Sequence, residues 1–96
     1  MKVRILSPAH DEISRIIDFY DDRAPGLGHE FLDDLDMTWA SLRDHPQAGA
    51  RHSHDMRHIV LGRFPFVVLY SIEPDEIVVH AVAHQRRRPG YWRHRK

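Results

Sequence analysis

The side chains best suited to chemistry, or to binding a charged partner, are concentrated at the C-terminal end of the sequence. Residues 84–96, which we call the basic aromatic tail, combine imidazole and guanidinium groups with two aromatic rings. The candidate residues among them are His84, Arg86, Arg87, Arg88, Tyr91, Trp92 and Arg93. Guanidinium groups form paired hydrogen bonds with phosphates and carboxylates, and aromatic rings stack on nucleobases. The tail therefore predicts binding to RNA or to an acidic surface. Alternatively, Trp92 anchors the tail on the domain while the arginines are solvated or meet an acidic partner.

His84 is the best placed candidate for acid or base catalysis, because the arginines follow it closely. Its imidazole could move a proton during attack of a ribose 2′-hydroxyl on the adjacent phosphate, while the arginines stabilise the charge of the phosphorane. His80 lies two strand periods earlier, and an isolated histidine in a strand is usually a half-buried packing residue. The sequence offers no Ser/His/Asp constellation, glycine-rich phosphate loop or paired-carboxylate site for another chemistry.

A second group of histidines lies in the middle of the chain, where His52, His54, Asp55 and His58 are capable of binding a metal. A structural zinc site needs two well-spaced ligand pairs, and a catalytic zinc helix carries an HExxH motif. Neither spacing occurs here, so adventitious metal binding is the better interpretation. The sequence predicts no metal site and no cofactor.

The composition indicates one small domain with an uneven charge distribution. Residues 1–48 hold five cations against ten acids, and residues 49–96 hold nine cations against four acids. The two halves thus carry net charges of −5 and +5, which indicates a basic working surface on the C-terminal half. No apolar run approaches the ~20 residues that span a bilayer. The lack of cysteine and of a signal peptide predicts a cytoplasmic protein that does not contact a membrane.

A β-hairpin must position the basic aromatic tail. Two runs rich in β-branched and aromatic residues, Phe64–Ile72 and Ile77–His84, flank the turn sequence Glu73–Glu76. Strict alternation from this turn predicts a core face made of Phe66, Val68, Tyr70, Val79, Ala81 and Ala83. The opposite face then carries Pro65, Val67, Leu69, His80, Val82 and His84.

Two amphipathic helices are predicted upstream of the hairpin. Ser7 as N-cap and Pro8 in the first turn begin the first helix, which runs to about Arg23. The second follows Pro25-Gly26 and ends near His45-Pro46, with Trp39 on its buried stripe. Its acids are expected on the solvent side: Glu30, Asp33, Asp34 and Asp36.

Two further strands complete the expected fold. The first begins at Val3, and the second, Met56–Leu61, is expected to run antiparallel to it. The element order is therefore β-α-α-β-β-β, an α+β fold in which a helical hairpin packs on one face of a mainly antiparallel sheet. We expect residues 1–96 to form a single domain. The order of the strands in the sheet stays open.

Three segments of this sequence resemble the ParE/RelE superfamily of toxins from bacterial type II toxin–antitoxin and plasmid-stabilisation modules. They are Arg57–Leu61, the run Arg63-Phe64-Pro65-Phe66 that opens the next strand, and a last strand ending in His84-Gln85-Arg86-Arg87. The Pro-Ala opening of the first helix is also similar, so the likeness covers nearly the whole chain. The resemblance implies the same fold and a growth-inhibiting toxin. It also implies a cognate antitoxin that neutralises the toxin, with operator DNA contacted only through the antitoxin.

Two activities are implied by the resemblance. RelE-like members cleave mRNA on the ribosome, and ParE-like members poison DNA gyrase. The central strand of the nucleases carries an arginine on its working face, whereas this chain has Val67, which favours the non-enzymatic ParE-like activity. A ribosome-dependent endoribonuclease using His84 and Tyr91 is the alternative, and an inactive homologue that acts only as a binding module is the third. Target or antitoxin binding is expected from Arg57, Arg63, Arg86, Arg87, Arg88, Trp92 and Arg93.

Overall fold

The computed structural model describes residues 1–53 and 55–87 and confirms the predicted α+β fold. Along the chain, the elements are β1 (Lys2–Ile5), α1 (Ser7–Arg23), α2 (Leu27–Asp44), a 3-10 turn (Pro46–Ala48), β2 (Ala50–Arg51), β3 (Arg57–Val60), β4 (Phe66–Ile72) and β5 (Glu76–His84). The two helices form a hairpin on one face of the sheet. No helix in the described part of the chain is long and apolar enough to cross a membrane.

The strands follow the order β1-β5-β4-β3-β2, so the first strand lies beside the last. The β1–β5 pair is parallel and the three other pairs are antiparallel. β3 consequently runs in the same direction as β1, and the expected antiparallel relation between these two strands is wrong. The reason is β2, a two-residue strand in the segment interpreted as a loop, which reverses the chain once more before β3.

The helix ends follow the sequence signals with one exception. α1 begins at Ser7 with Leu6 in the N-cap position and no side-chain cap, so the prediction of Ser7 as N-cap is one residue off. α2 starts after Gly26, whose φ of 86° lies in the left-handed region that glycine adopts without strain. The N–H of Gly28 donates to Asp21 Oδ1 at 2.8 Å, which ties the start of α2 to the end of α1.

The core lies between the helical hairpin and the sheet. Trp39 is buried there as predicted, beside Phe31, Leu35 and Leu42 of the same helix. Four aromatic rings meet at one end of this layer, with Tyr20 and Phe31 from the helices against Phe64 and Phe66. Edge-to-face pairs of this kind stabilise a core beyond their buried area.

A β-bulge between β4 and β5 changes which side chains share a face. Tyr70 lies opposite Val79, as predicted, but Leu69 lies opposite Ala81, so His80 is an extra residue. Beyond the bulge the alternation is shifted by one residue, which places Val82 in the core and His84 opposite Phe66. The expectation that His84 shares the outer face with His80 is therefore wrong.

Candidate functional site

Two turns meet where β4 begins and β5 ends, and they form the surface that we call the cationic end. The first turn, residues 62–65, carries Arg63, and the second, residues 84–87, carries Arg86 and Arg87. The N–H of Gln85 donates to the carbonyl oxygen of Pro65 at 3.0 Å, so the turns lie side by side. The bulge contributes as well, because it brings the His84 ring to 5.4 Å from the ring of Phe66.

The turn after β5 is organised by His84. Its Nδ1 accepts a hydrogen bond from the backbone N–H of Arg86 at 3.1 Å, and its carbonyl oxygen accepts one from Arg87 at 2.8 Å. Since Nδ1 is the acceptor, the neutral imidazole carries its proton on Nε2. The ring thus presents a donor to solvent and keeps its lone pair in an internal bond. Such a group orients the turn well but is poorly arranged to act as a general base.

The guanidinium group of Arg63 forms an ion pair with Glu30 of α2. Its Nη2 lies 2.8 Å from Glu30 Oε1 in an exposed ion pair, and its Cζ lies 5.9 Å from the centre of the Phe64 ring. Arg86 and Arg87 are also exposed. The cationic end therefore presents three exposed arginine side chains, and that of Arg63 is paired with a carboxylate on α2.

A buried carboxylate holds the first turn in place. Asp34 Oδ2 accepts the N–H groups of Arg63 and Phe64 at 2.9 and 3.2 Å, and only 6% of Asp34 is exposed. The expectation that Asp34 belongs to the solvent-facing acids of α2 is therefore wrong. Two partly buried backbone donors would otherwise lose this acceptor, and leaving such a donor without a partner is destabilising. Sequence reasoning missed this role because an acid in an amphipathic helix looks like a surface residue.

A second buried carboxylate holds the strand that leads to the other turn. Glu12 of α1 is 4% exposed, and its Oε1 accepts the backbone N–H of Val82 at 3.0 Å. Sequence reasoning missed this role as well, because Glu12 looks like an ordinary acid of an amphipathic helix. Each helix thus contributes one buried carboxylate, which accepts hydrogen bonds from backbone N–H groups beneath the cationic end.

Arg57 lies apart from the other predicted binding residues. It lies opposite Tyr70 on β3, four residues along β4 from Phe66, or roughly 13 Å at the usual strand rise. Its Nη1 donates to the carbonyl oxygens of Gly49 at 2.9 Å and Gln47 at 3.4 Å. The side chain thereby fastens the segment between α2 and β3.

The buried side chain of Tyr70 also holds the segment between α2 and β3 in place. Its hydroxyl donates to the carbonyl oxygen of Pro46 at 2.8 Å and accepts the N–H of Gly49 at 2.9 Å. Burial raises the pKa of this phenol above the ordinary value, and the bond from Gly49 and the charge of Arg57 reduce the shift. Tyr70 and Arg57 together with the 46–49 segment form what we call the closed end of β4.

The remaining predicted features fall in three places. The rings of His52 and His58 lie 5.4 Å apart, but within residues 1–53 and 55–87 no three metal-capable side chains cluster. Val67 lies on the outer face opposite Ala83, and β4 carries no cation on either face. Predictions made for Arg88, Tyr91, Trp92 and Arg93 lie outside the described residues.

Comparison with known families identifies the fold and the class of protein. The sequence profile of the ParE toxin of type II toxin–antitoxin systems, parDE, matches residues 3–89. This chain belongs to the ParE toxin family. It is a toxin of a type II toxin–antitoxin module, and its partner is an antitoxin. The resemblance to the ParE/RelE superfamily inferred from the sequence is confirmed.

Solved structures agree with this assignment at the level of the fold. The toxin resembles a chain described as the chromosomal ParDE toxin–antitoxin system from P. aeruginosa, with a TM-score of 0.76 and 19% identity. The match covers 88% of this chain and 95% of the other. A search of curated proteins finds no match. Similarity at this identity concerns the fold alone, so the target has to be argued from the surface.

Proposed function

We propose that this ParE-family toxin arrests growth without catalysis, by binding DNA gyrase through its cationic end. The exposed turn at residues 84–87 supports the proposal most directly, because its arginines stand on a backbone fixed by His84 and Pro65. A fixed turn binds with less loss of conformational entropy than a mobile one. Clustered cations also accelerate encounter with an acidic partner surface.

The arrangement of His84 argues against a nuclease. A general base needs an available lone pair near the proton that it removes, whereas Nδ1 of His84 accepts the N–H of Arg86. No side chain of β4 supplies a cation to the phosphorane, since the strand reads FVVLYSI and has valine at position 67. Loss of one preorganised charge donor typically lowers a rate by about 10²–10³. A surface that only has to bind needs neither group.

We propose further that the cognate antitoxin neutralises the toxin with a segment that is both acidic and apolar. Covering Arg86 and Arg87 without counter-charges costs several kcal/mol per ion, so acidic side chains are required in the partner. The helical hairpin also offers apolar surface, since Phe19 is 49% exposed and Met37 is 73% exposed. Arg23 lies 4.4 Å from the centre of the Phe19 ring, which provides a cation beside one of these apolar groups. The antitoxin gene is expected beside this one, encoding a small acidic protein.

Two assays run in parallel test the mode of action. Induction of the toxin should slow growth, stall replication and leave mRNA intact, and purified toxin should inhibit supercoiling by purified gyrase. Primer-extension mapping of transcripts after induction tests the alternative activity, cleavage of mRNA. Codon-linked cleavage with normal supercoiling would refute the proposal and establish the endoribonuclease. In that case His84→Ala or Tyr91→Phe should abolish cleavage while the protein remains folded.

The third possibility, an inactive homologue that only binds, is tested by the same induction. Normal growth at high expression of folded toxin would support it and contradict the proposed arrest. Growth arrest that is relieved by co-expression of the neighbouring gene product would contradict it and identify the antitoxin.

A further inference from the structure

We infer that Glu12 is a positioning residue that fixes the second half of β5, and with it the direction in which the 84–87 turn leaves the sheet. The inference rests on the proposed function insofar as the turn is the binding element. Glu12 itself lies on α1 and is 4% exposed, so its carboxylate acts through the backbone of β5 and is not part of the exposed binding surface.

The need for such a residue follows from the strand pairing. β1 lies beside β5 only from Glu76 to Val79, and the N–H of Leu6 donates to the carbonyl oxygen of Val79 at the end of this pairing. From His80 onward, no described strand lies along that edge of β5. An open strand edge leaves backbone donors without partners and allows the strand to move.

The bulge weakens the other edge of β5 at nearly the same position. His80 is the extra residue opposite Leu69 and Tyr70, so the ladder to β4 is interrupted at His80, two residues before Val82. Within a few residues, the strand therefore loses its β1 neighbour and is interrupted once in its β4 pairing, which resumes at Ala81 opposite Leu69. Glu12 Oε1 meets the N–H of Val82 at 3.0 Å in this segment, two residues before His84.

The neighbours of Glu12 make it a rigid support. Ala9 and Ile13, on the same side of α1, are buried in the core and hold this part of the helix against the sheet. A carboxylate oxygen anchored on a packed helix can therefore define the position of Val82. Because the bulge turns His84 toward Phe66, a shift of Val82 would move His84 and the arginines that follow.

The test compares two substitutions of nearly equal size in the full chain. Glu12→Gln keeps a carbonyl oxygen that can accept the Val82 N–H, and Glu12→Met keeps the length of the side chain without an acceptor. Ile13→Val is the matched control, since it removes one buried methylene from the adjacent position and leaves the acceptor in place. Three quantities are measured for each: the melting temperature, amide hydrogen exchange along β5, and inhibition of purified gyrase.

For Glu12→Met we expect faster amide exchange confined to residues 82–87 and an inhibitory concentration raised about 10-fold. Glu12→Gln should restore inhibition to within about threefold of the wild type, and Ile13→Val should lower the melting temperature without changing inhibition. Equal loss of inhibition in Glu12→Met and in an equally destabilised Ile13→Val would overturn the inference, because the effect would then follow stability alone.

The exchange measurement keeps this inference separate from the proposed target. If wild-type toxin fails to inhibit gyrase, the proposed function fails, and binding of a deca-glutamate peptide replaces gyrase as the readout for the turn. Local exchange and weaker peptide binding in Glu12→Met would then still support the positioning role. Unchanged exchange at residues 82–87 in Glu12→Met would refute it whatever the target is.

Discussion

The two ends of β4 use the same kinds of side chain for opposite purposes. At the closed end, Arg57 donates to main-chain carbonyls and Tyr70 bridges Pro46 and Gly49, so polar groups serve the fold. At the cationic end, buried carboxylates hold the backbone and the arginine side chains are exposed. An arginine therefore becomes structural when carbonyl oxygens lie within its reach. It stays exposed at the surface when the nearby backbone is already bonded to something else.

The largest loss of stability is expected when a side chain is added at Gly49, at the closed end of β4. A Cβ at Gly49 would lie 2.5 Å from the Tyr70 hydroxyl oxygen and 2.8 Å from the backbone oxygen of His58. Gly49→Ala should therefore lower the free energy of unfolding by about 3 kcal/mol, as overpacking of a closed site does. Gly62→Ala at the cationic end is the control, since its nearest neighbour would lie at 3.4 Å. Urea denaturation that gives equal stability for both variants would contradict the description of the closed end.

Charge reversal at the cationic end should affect binding and spare the fold. Arg86→Glu together with Arg87→Glu should weaken the antitoxin complex about 10- to 100-fold and reduce its dependence on salt, because attraction to acidic groups becomes repulsion. The melting temperature of the free toxin should change little, since both side chains are exposed. Calorimetric titration at two salt concentrations measures this. Unchanged affinity and an unchanged salt slope would show that the antitoxin binds elsewhere.

Removal of the Tyr70 hydroxyl should be costly because two main-chain groups depend on it. Tyr70→Phe leaves the N–H of Gly49 and the carbonyl of Pro46 without their partner and should lower the free energy of unfolding by about 1–3 kcal/mol. Gyrase inhibition by the folded variant should remain at the wild-type level, since the cationic end is untouched. A loss of inhibition without a loss of stability would reverse the roles assigned to the two ends.

The same hydroxyl should make stability sensitive to alkaline pH. Burial raises the pKa of Tyr70 above the ordinary 10.0, so the unfolded chain loses this proton at a lower pH than the folded chain. Its contribution is therefore fully present below pH 10 and is lost as the pH rises through the higher folded value. Chemical denaturation between pH 8 and pH 11 should show a smaller decline for Tyr70→Phe than for the wild type. Parallel curves for the two proteins would contradict this linkage.

The smallest effect is expected at the exposed ion pair of the cationic end. Arg63→Ala removes the contact with Glu30, whose side chain is 48% exposed, and should change the free energy of unfolding by less than about 1 kcal/mol. Binding of the antitoxin should weaken less than in the double charge reversal, because Arg63→Ala removes one positive charge whereas the double variant reverses two. Thermal unfolding at low and high salt provides the measurement. A large, salt-independent destabilisation would mean that Arg63 is structural like Arg57.

The sequence predicted the elements of this fold well but not the side-chain faces near the site. Both helices, the hairpin and the burial of Trp39 follow from apolar periodicity and turn residues, which are local signals. The bulge at His80 has no such signal, since neither glycine nor proline marks it, and it moved His84 to the opposite face. The two-residue strand β2 is too short to show any periodicity.

The two buried carboxylates that hold the backbone of the site, Glu12 and Asp34, could not be predicted for a related reason. Glu12 and Asp34 look like ordinary helix acids, and their roles exist only because distant N–H groups lack strand partners. Arg63, Arg86 and Arg87 were named as binding residues but were not predicted to lie together, because the contact that brings their two turns side by side is not a local signal. Arg57 could not be separated from them without knowing which carbonyls it reaches.

The most direct test of the central claim is a gyrase supercoiling assay with purified wild-type toxin, the Arg86→Glu/Arg87→Glu double variant and Tyr70→Phe. We expect inhibition by the wild type and by folded Tyr70→Phe, and an inhibitory concentration raised at least 10-fold for the double variant. Equal inhibition by the double variant and the wild type would contradict it, because the exposed arginines at the cationic end would then have no part in binding the target.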